Sequence, residues 1–466
     1  MAIHNLTMKN SSNNCFYIIV VVVVAIALTG NTLFFDAQNT ASVSLSVSAF
    51  SQQAQSHTYA PESLISLNED AQRDVSTFDD WAVNYGGVQK AEGFELTSFD
   101  GEDYYAATNQ DIPQGSPVLF VPNQMMLSSS SVANEFGGGA LSQAENDLVK
   151  NNCEDLIPLF RLYIKVLVEY EKGEASPWYA WLNALPRMYN TGASMTYACF
   201  ECLPPYAAWL AVSERTNCVN FQKVTRSHYS ALSIHEKTAS NVWRLKWAYN
   251  VATTRSIERN GELFIAPMAD MFNHGAETDV EITNDEEGNC MVYASRDIPA
   301  GSPLHMSLGD PTNPSPIFAK YGFLDDSSPA TFCKTMHLRN EMEELGYDFS
   351  NLLFYKETGD ISPEVYDVVL YSILAQDPNL KQGFYQACMD GDAGTKQDYL
   401  EQYYPNIIEA LQEHVDGTLA ELDRLSTKAT SKDPATHPRV PVILQHNAFV
   451  KETFLRVKAN LDSMYG

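Results

Sequence analysis

The sequence predicts an α+β protein, in which a discontinuous β-rich domain is divided by a helical insert and followed by an all-helical C-terminal domain. Three observations carry that expectation. Short β-type runs punctuated by Gly, Asp and Pro occur in two separated stretches. Apolar residues at helical spacing fill the stretch between them and the stretch after them. One pattern, Asp-Ile-Pro-x-Gly-Ser-Pro, recurs in both β-type stretches.

The chain has 466 residues, of which 45% are hydrophobic and 11% aromatic, enough for more than one core. Its formal charge of -28 repels phosphate backbones, so no nucleic-acid partner is expected. Cysteines stand at 15, 153, 199, 202, 218, 290, 333 and 388, and only Cys199 and Cys202 have CxxC spacing. One such pair without neighbouring histidines makes neither a zinc site nor a disulfide framework, and no metal is expected.

The first element is an address. "FYIIVVVVVAIAL" is an unbroken apolar run of 13 residues from Phe16 to Leu28. That length suits a signal-peptide core, and extension through "TGNTLFF" to Phe35 makes a signal anchor the alternative. Residues 1–35 are therefore expected to engage a membrane or the endomembrane system, with membrane contact through 16–35 if they are not cleaved. Residues 36–76, rich in Ser, Ala, Gln and Thr, follow as a linker or transit segment. "VSAF" at 47–50 resembles the cleavage motif of presequences in complex plastids, so a plastid address is the second option.

Globular sequence begins near Thr77. "FDDWAVNYGGVQKAEGFELTSFDGEDYYAATNQDIPQGSPVLFVP" reads as short strands and tight turns, the first β-rich part at 77–140. In 141–257, Leu148, Leu156, Leu159, Tyr163, Val166 and Tyr170 lie at helical spacing, and Trp243, Trp247 and Val251 repeat the pattern. β-type sequence returns at 258–328 in "GELFIAP", "DVEIT", "MVYAS" and "PLHMSL". From 329 to 466 the chain reads as helical. Its best helix carries Ile408, Leu411, Val415, Leu419 and Leu422 on one stripe, weakened slightly by Gly417. The repeated turns, "DIPQGSPVLF" at 111–120 and "DIPAGSPLHM" at 297–306, are too far apart for a repeat array. They read as similar turns feeding strands of one interrupted domain.

Several local motifs then converge. "EGFELTSF", "SPWYAWLNALPRMYNT", "WRLKWAYNVATTRSI", "PMADMFNHG" and "NPSPIFAKYGFLDD" occur in that order. Together they resemble the SET-domain protein methyltransferases, in the class of the Rubisco large-subunit lysine methyltransferase and the actin-histidine methyltransferase. The resemblance runs from about Phe78 to the C-terminus. It implies a SET domain with a knot-like crossing at "PMADMFNHG", a C-terminal domain that binds a protein substrate or partner, and S-adenosylmethionine as cofactor.

The resemblance also implies roles for particular residues. The Asn273 side chain and the His274 backbone are expected to bind the cofactor, with Asp270 bracing the turn. For a lone Asn-His pair the plainer alternative is that they satisfy buried backbone groups. Arg255 matches the arginine near the cofactor carboxylate, where a bidentate pair would form; otherwise it is a helix C-terminal cation. Phe323 matches the ring against adenine; its alternative is a core aromatic.

Two positions depart from the family pattern. Where the family has a Gly-x-Gly cofactor loop, this chain has Asp103, Tyr104 and Tyr105, with Gly101 two residues earlier. Where the family has a tyrosine before glycine in "YG..SN", this chain has Leu308, with Gly309 and Asn313 retained and Tyr321 as a possible replacement. The expected function is methyl transfer to a lysine or a histidine of another protein. A catalytically silent protein-binding scaffold and a membrane-tethered structural protein are the alternatives.

Overall fold

The computed structural model describes residues 63–464 apart from positions 137, 260 and 311. The apolar run at 16–35 and the proposed transit motif lie outside the described residues. The membrane placement expected from that run is withdrawn: among the described residues no helix is long and apolar enough to cross a membrane.

The first described helix, α1 (Val75–Asn84), corrects the expectation of strands near Thr77. Val75, Phe78 and Ala82 are buried along one side, a helical period, and the Asp74 carboxylate caps the start by accepting from the Thr77 N–H at 3.0 Å. The residues just before it are not a bare linker either, since Ile65 is buried in the main core and its carbonyl accepts from the Tyr170 hydroxyl.

Strands follow where the alternation predicts them. β2 (Phe94–Ser98) and β3 (Tyr104–Thr108) form an antiparallel hairpin in register Phe94 to Thr108. β1 (Gln89–Lys90), β4 (Pro117–Val121), β10 (Cys290–Ala294) and β9 (Val280–Asn284) make one antiparallel sheet in the order β1-β4-β10-β9. β4 and β10 are neighbours in space although the helical stretch separates them in sequence. A second sheet orders β5 (Leu127–Ser128), β7 (Glu262–Ile265) and β6 (Ile257–Arg259).

Between these halves lie α2 (Ile157–Lys172), α3 (Tyr179–Ala184), α4 (Pro205–His228) and α5 (Val242–Arg255). α2 is buried over nearly its whole length, and its charged Glu169 lies at the centre of an ion cluster with Lys165 at 2.8 Å and Lys172 at 2.7 Å. A removed partner there would leave an uncompensated buried charge. Asn241 caps α5, and the buried face of Leu245, Ala248, Tyr249, Val251 and Ala252 fixes the rotation of the helix. That rotation and the helix length place Arg255 at its C-terminal end.

The region beyond 329 is not all helical. β12 (Ala330–Phe332) pairs antiparallel with β13 (Leu353–Tyr355), and both are short β-branched or aromatic runs that bury almost every side chain. The rest packs as helices, among them α7 (Pro363–Ile373), α8 (Tyr404–Thr430) and α9 (Val440–Met464). The expected stripe of α8 is present: Ile408, Leu411, Val415 and Leu422 are buried and Leu419 is partly so. Gly417 sits in the helix with open space around it.

Candidate active site

The site is assembled around β8 (Asn273–His274), which pairs parallel with β11 (His305–Met306) in the register Asn273 to His305. A 3-10 turn at Ala269–Met271 delivers the chain to β8, and it starts from Met268, a buried residue at φ +79°. A bulky residue in that region is strained and is held by its surroundings. The turn points the carboxylate of Asp270 into the interior. There Oδ2 accepts the Trp181 indole N–H at 2.9 Å and lies 4.0 Å from Arg255 Nη1, while the Asp270 carbonyl accepts from Arg255 Nη1 at 2.6 Å. Burial raises the Asp270 carboxyl above its ordinary value, and Arg255 and the indole pull it back.

Arg255 has a second guanidinium nearby. Arg73, just before α1, donates Nε to the Ala184 carbonyl at 2.7 Å and another nitrogen to the Glu102 carbonyl, and lies over the Tyr104 ring at 5.0 Å. Its pKa falls to about 10, first through burial and then through the charge of Arg255. Tyr189 is buried within electrostatic reach of Arg73, Arg187, Arg255 and Asp270, and burial pushes its hydroxyl upward. Buried polar atoms without a hydrogen-bond partner in the protein gather here, among them Arg73 Nη2, Arg187 Nε, Arg255 Nε, the Tyr189 hydroxyl and Asp270 Oδ1. Buried polar groups are almost always paired, so a concentration of orphans marks a place for a ligand. Two guanidiniums, a phenol and a carboxylate suit a group carrying both a carboxylate and an ammonium.

The "YGF" segment closes the other side. α6 (Pro314–Tyr321) is capped by Asn313 and ends at Gly322 in the left-handed region at φ +85°. A Cβ at Gly322 would lie 2.5 Å from the carbonyl carbon of Asn190 and 2.6 Å from the Thr191 nitrogen. Only glycine lets "YGF" come against the segment that carries Tyr189. Half-buried Phe323 stands with its ring centroid 6.0 Å from that of His274 and 6.3 Å from that of Tyr321. Tyr321, half-buried on the last turn of α6, has Lys320 Nζ 5.2 Å from its ring.

The residues singled out from sequence therefore fall into two adjoining groups. Asp270 and Arg255 touch, with Asp103 in the electrostatic surroundings of Arg73 and Arg255. His274, Phe323 and Tyr321 form the second group, and Asn273 is solvent-exposed at its edge. Tyr104 and Tyr105 belong to β3 and take ordinary strand partners, Tyr105 packing on Phe99 at 5.2 Å. Asp103 is exposed and its N–H is taken by the Asp100 carboxylate at 2.8 Å. The turn between β2 and β3 is made instead by Gly101, at φ +80° in open space. Leu308 is half-buried with its side chain against the main core.

Sequence reasoning missed Arg73, Tyr189, Trp181 and Asp325, whose Oδ2 lies 3.0 Å from His274 Nε2. Arg73 was hidden in a stretch whose composition reads as linker. Trp181 and Tyr189 both stand in "SPWYAWLNALPRMYNT", where they look like core aromatics; nothing in the sequence shows that one donates to Asp270 and that the other lies among three arginines.

The fold has known counterparts. No family model matches the chain. Its fold is that of the SET-domain protein Rubisco LSMT: the structure of that protein bound to AdoMet superposes with a TM-score of 0.59 at 16% identity, over 84% of this chain and 92% of that one. The SET domain of LSMT bound to lysine and AdoHcy gives 0.57 at 14% identity, over 84% and 91%. In sequence the chain is similar to the actin-histidine N-methyltransferase of Rattus norvegicus, 25% identical over 262 residues, which are 53% of this chain and 42% of that protein. It is also similar to SET domain-containing protein 4 of Artemia parthenogenetica, 23% identical over 241 residues, 48% of this chain and 56% of that protein. The matches thus span less than two thirds of these relatives, and they agree with the class that the motifs resemble.

Proposed function

We propose that this chain is an S-adenosylmethionine-dependent protein methyltransferase of the SET and LSMT class, acting on the nitrogen of a lysine side chain, with histidine as the alternative target. The observation that carries the proposal is the set of orphaned buried atoms on Arg73, Arg255, Tyr189 and Asp270, next to the strand that bears Asn273 and His274. The carboxylate of the cofactor's methionine end would be held by Arg255 and Arg73, and its ammonium by Asp270. Asn273 and the His274 backbone would take the neighbouring part, with Phe323 against the adenine. Asp103, Tyr104 and Tyr105 stand at the rim, with Asp103 closest in charge to the arginines.

When bound, the cofactor supplies an electrophilic methyl group on a sulfonium. The protein's part is to present a neutral amine in line with it. A free lysine, with pKa ~10.4, is neutral near pH 7 in about one molecule per thousand, roughly 4 kcal/mol of the barrier. An apolar, dehydrated approach disfavours the ammonium and lowers that cost. Half-buried Leu308 is apolar at this point and cannot hydrogen-bond, so the hydroxyl at the reacting centre falls to Tyr321.

The knot-like crossing belongs to the same proposal, supported by the parallel pairing of β8 with β11. So does the division of the chain into a split catalytic unit at 77–140 and 258–328, an insert at 141–257 and a substrate- or partner-binding region from 329. The region from 329 contributes most of one hydrophobic core, residues 332–461, which Tyr206 of the insert joins. The silent-scaffold alternative rests on Leu308 and the missing glycines, and the comparisons lend it no support.

Calorimetric titration of the full chain with S-adenosylmethionine tests the proposal, followed by transfer of labelled methyl to protein and amino-acid analysis of the product. Saturable binding that is lost in Arg255→Leu is the expected result. Absence of binding at millimolar ligand would sink it, and labelled methylhistidine would redirect the target.

A further inference from the structure

The imidazole of His274 joins three segments that are far apart in sequence. Its Nδ1 accepts the backbone N–H of Leu308 at 3.1 Å, and its Nε2 lies 3.0 Å from Asp325 Oδ2. The side chains of His274 and Asp325 are 1% and 8% exposed, so water competes little for either bond. A backbone N–H aimed at Nδ1 requires that nitrogen to be bare, and the ring proton then sits on Nε2 and is donated to the carboxylate.

We infer, on the methyltransferase reading above, that Asp325 is a positioning residue. It selects the Nε2–H tautomer of His274, and that tautomer holds the amide of Leu308 in place at the edge of the active site. The device matters because of Leu308 itself. Its side chain packs on the main core but offers no hydrogen bond, so the polar anchoring of the backbone at this point comes through its N–H. On either side, exposed Ser307 and Gly309 bond only locally, the Ser307 hydroxyl donating to the Gly309 carbonyl at 2.7 Å. Without the carboxylate the two neutral tautomers of His274 compete, and the Nδ1–H form turns a donor toward the donor of Leu308. The same ring lies beside Phe323, so its orientation also bears on the "YGF" segment. Misplacing a loop at a reacting centre by a fraction of an ångström lowers turnover by about tenfold to a hundredfold.

The test uses the full chain with its histidines labelled with nitrogen-15. In the wild type the His274 Nδ1 resonance is expected at the position of a bare nitrogen and Nε2 at that of an N–H, with slow exchange of the Leu308 amide. Finding the proton on Nδ1 in the wild type overturns the inference without any variant. Asp325→Ala is expected to give mixed tautomers, faster Leu308 exchange and a kcat lower by about tenfold to a hundredfold at saturating cofactor. Asp325→Asn leaves its one acceptor oxygen to the Ser327 N–H, which Asp325 Oδ1 accepts at 3.0 Å, and turns an NH2 donor toward Nε2, so it is expected to favour the Nδ1–H tautomer and to lower kcat at least as far as alanine does. An alanine or asparagine variant with unchanged tautomer and amide exchange defeats the inference. If the wild type binds no cofactor and methylates nothing, the methyltransferase reading fails, while the tautomer and the Leu308 amide still decide the link from Asp325 to residue 308.

Discussion

Ile112 and Ile298, the isoleucines of the two Asp-Ile-Pro-x-Gly-Ser-Pro turns, exchange both of their backbone hydrogen bonds, each at 2.8 Å. Each turn also caps the other: the Asp297 carboxylate accepts from the Gln114 N–H and the Asp111 carboxylate from the Ala300 N–H, both at 2.8 Å. The echo in the sequence is thus a reciprocal clasp that holds β4 to β10 across the whole insert. Asp111→Ala and Asp297→Ala should each cost about 1 kcal/mol. Because they belong to one motif, urea unfolding of the double variant should show a coupling of roughly 0.5 kcal/mol or more.

Gly322→Ala should be severe. The substitution meets both a positive φ and backbone atoms of Asn190 and Thr191 that cannot move aside cheaply. A loss of about 2–3 kcal/mol is expected from the combined strain and overpacking, and thermal unfolding measures it. Cofactor affinity should fall with it, since the same contact brings "YGF" to the Tyr189 segment.

Trp181→Phe keeps the aromatic volume but removes the donor to Asp270 Oδ2, whose companion oxygen already lacks a partner in the protein. Stability should drop by about 1–3 kcal/mol. Denaturant titrations with and without S-adenosylmethionine would show how much of the loss the ligand's ammonium restores.

Lys334 provides a pH test. It is buried at φ +66°, its ammonium 3.4 Å from the Ser315 hydroxyl and over the rings of Tyr206 and Phe332 at 5.3 and 5.9 Å. Burial lowers its pKa from 10.5 to about 7. Between those values the unfolded chain binds a proton that the folded chain does not, so this residue makes stability rise with pH across the window. Below about pH 7 the full penalty is present. Lys334→Met should therefore be the more stable form at neutral and lower pH, with its advantage shrinking by up to roughly 1 kcal/mol per pH unit as pH rises through that window. Chemical denaturation of both forms at several pH values checks the sign.

The proposed function gives Tyr321 the hydroxyl that Leu308 lacks. Tyr321→Phe should lower kcat by about a hundredfold with cofactor affinity unchanged, and Leu308→Tyr should raise it, because a preorganised hydroxyl is gained beside the reacting centre. Single-turnover transfer of labelled methyl measures both.

How much of this was legible in the sequence differs by element. The interrupted β unit was, because β-type alternation and the repeated turns are local patterns; the stripe of α8 was, because helical period is local too. Helix α1 was misread because Asp, Gly and Tyr near it imitate strand punctuation. The pair β12 and β13 was overlooked because three-residue strands carry too little pattern to stand out from their helical surroundings. Asp270 and Arg255, which touch, and His274 and Phe323, whose rings lie 6.0 Å apart, were singled out through motifs of a few neighbouring residues.

What the sequence determined by itself is therefore the set of periodicities and turns, and the residue types offered to a ligand. Only the tertiary structure decided that Arg73 joins Arg255, that Trp181 supports Asp270, and that Asp325 reaches the backbone of residue 308 through His274. Local propensity acts over a few residues along the chain. Burial, ion pairing and hydrogen bonding act over a few ångströms of space, and which residues come that close is settled only when the cores have packed.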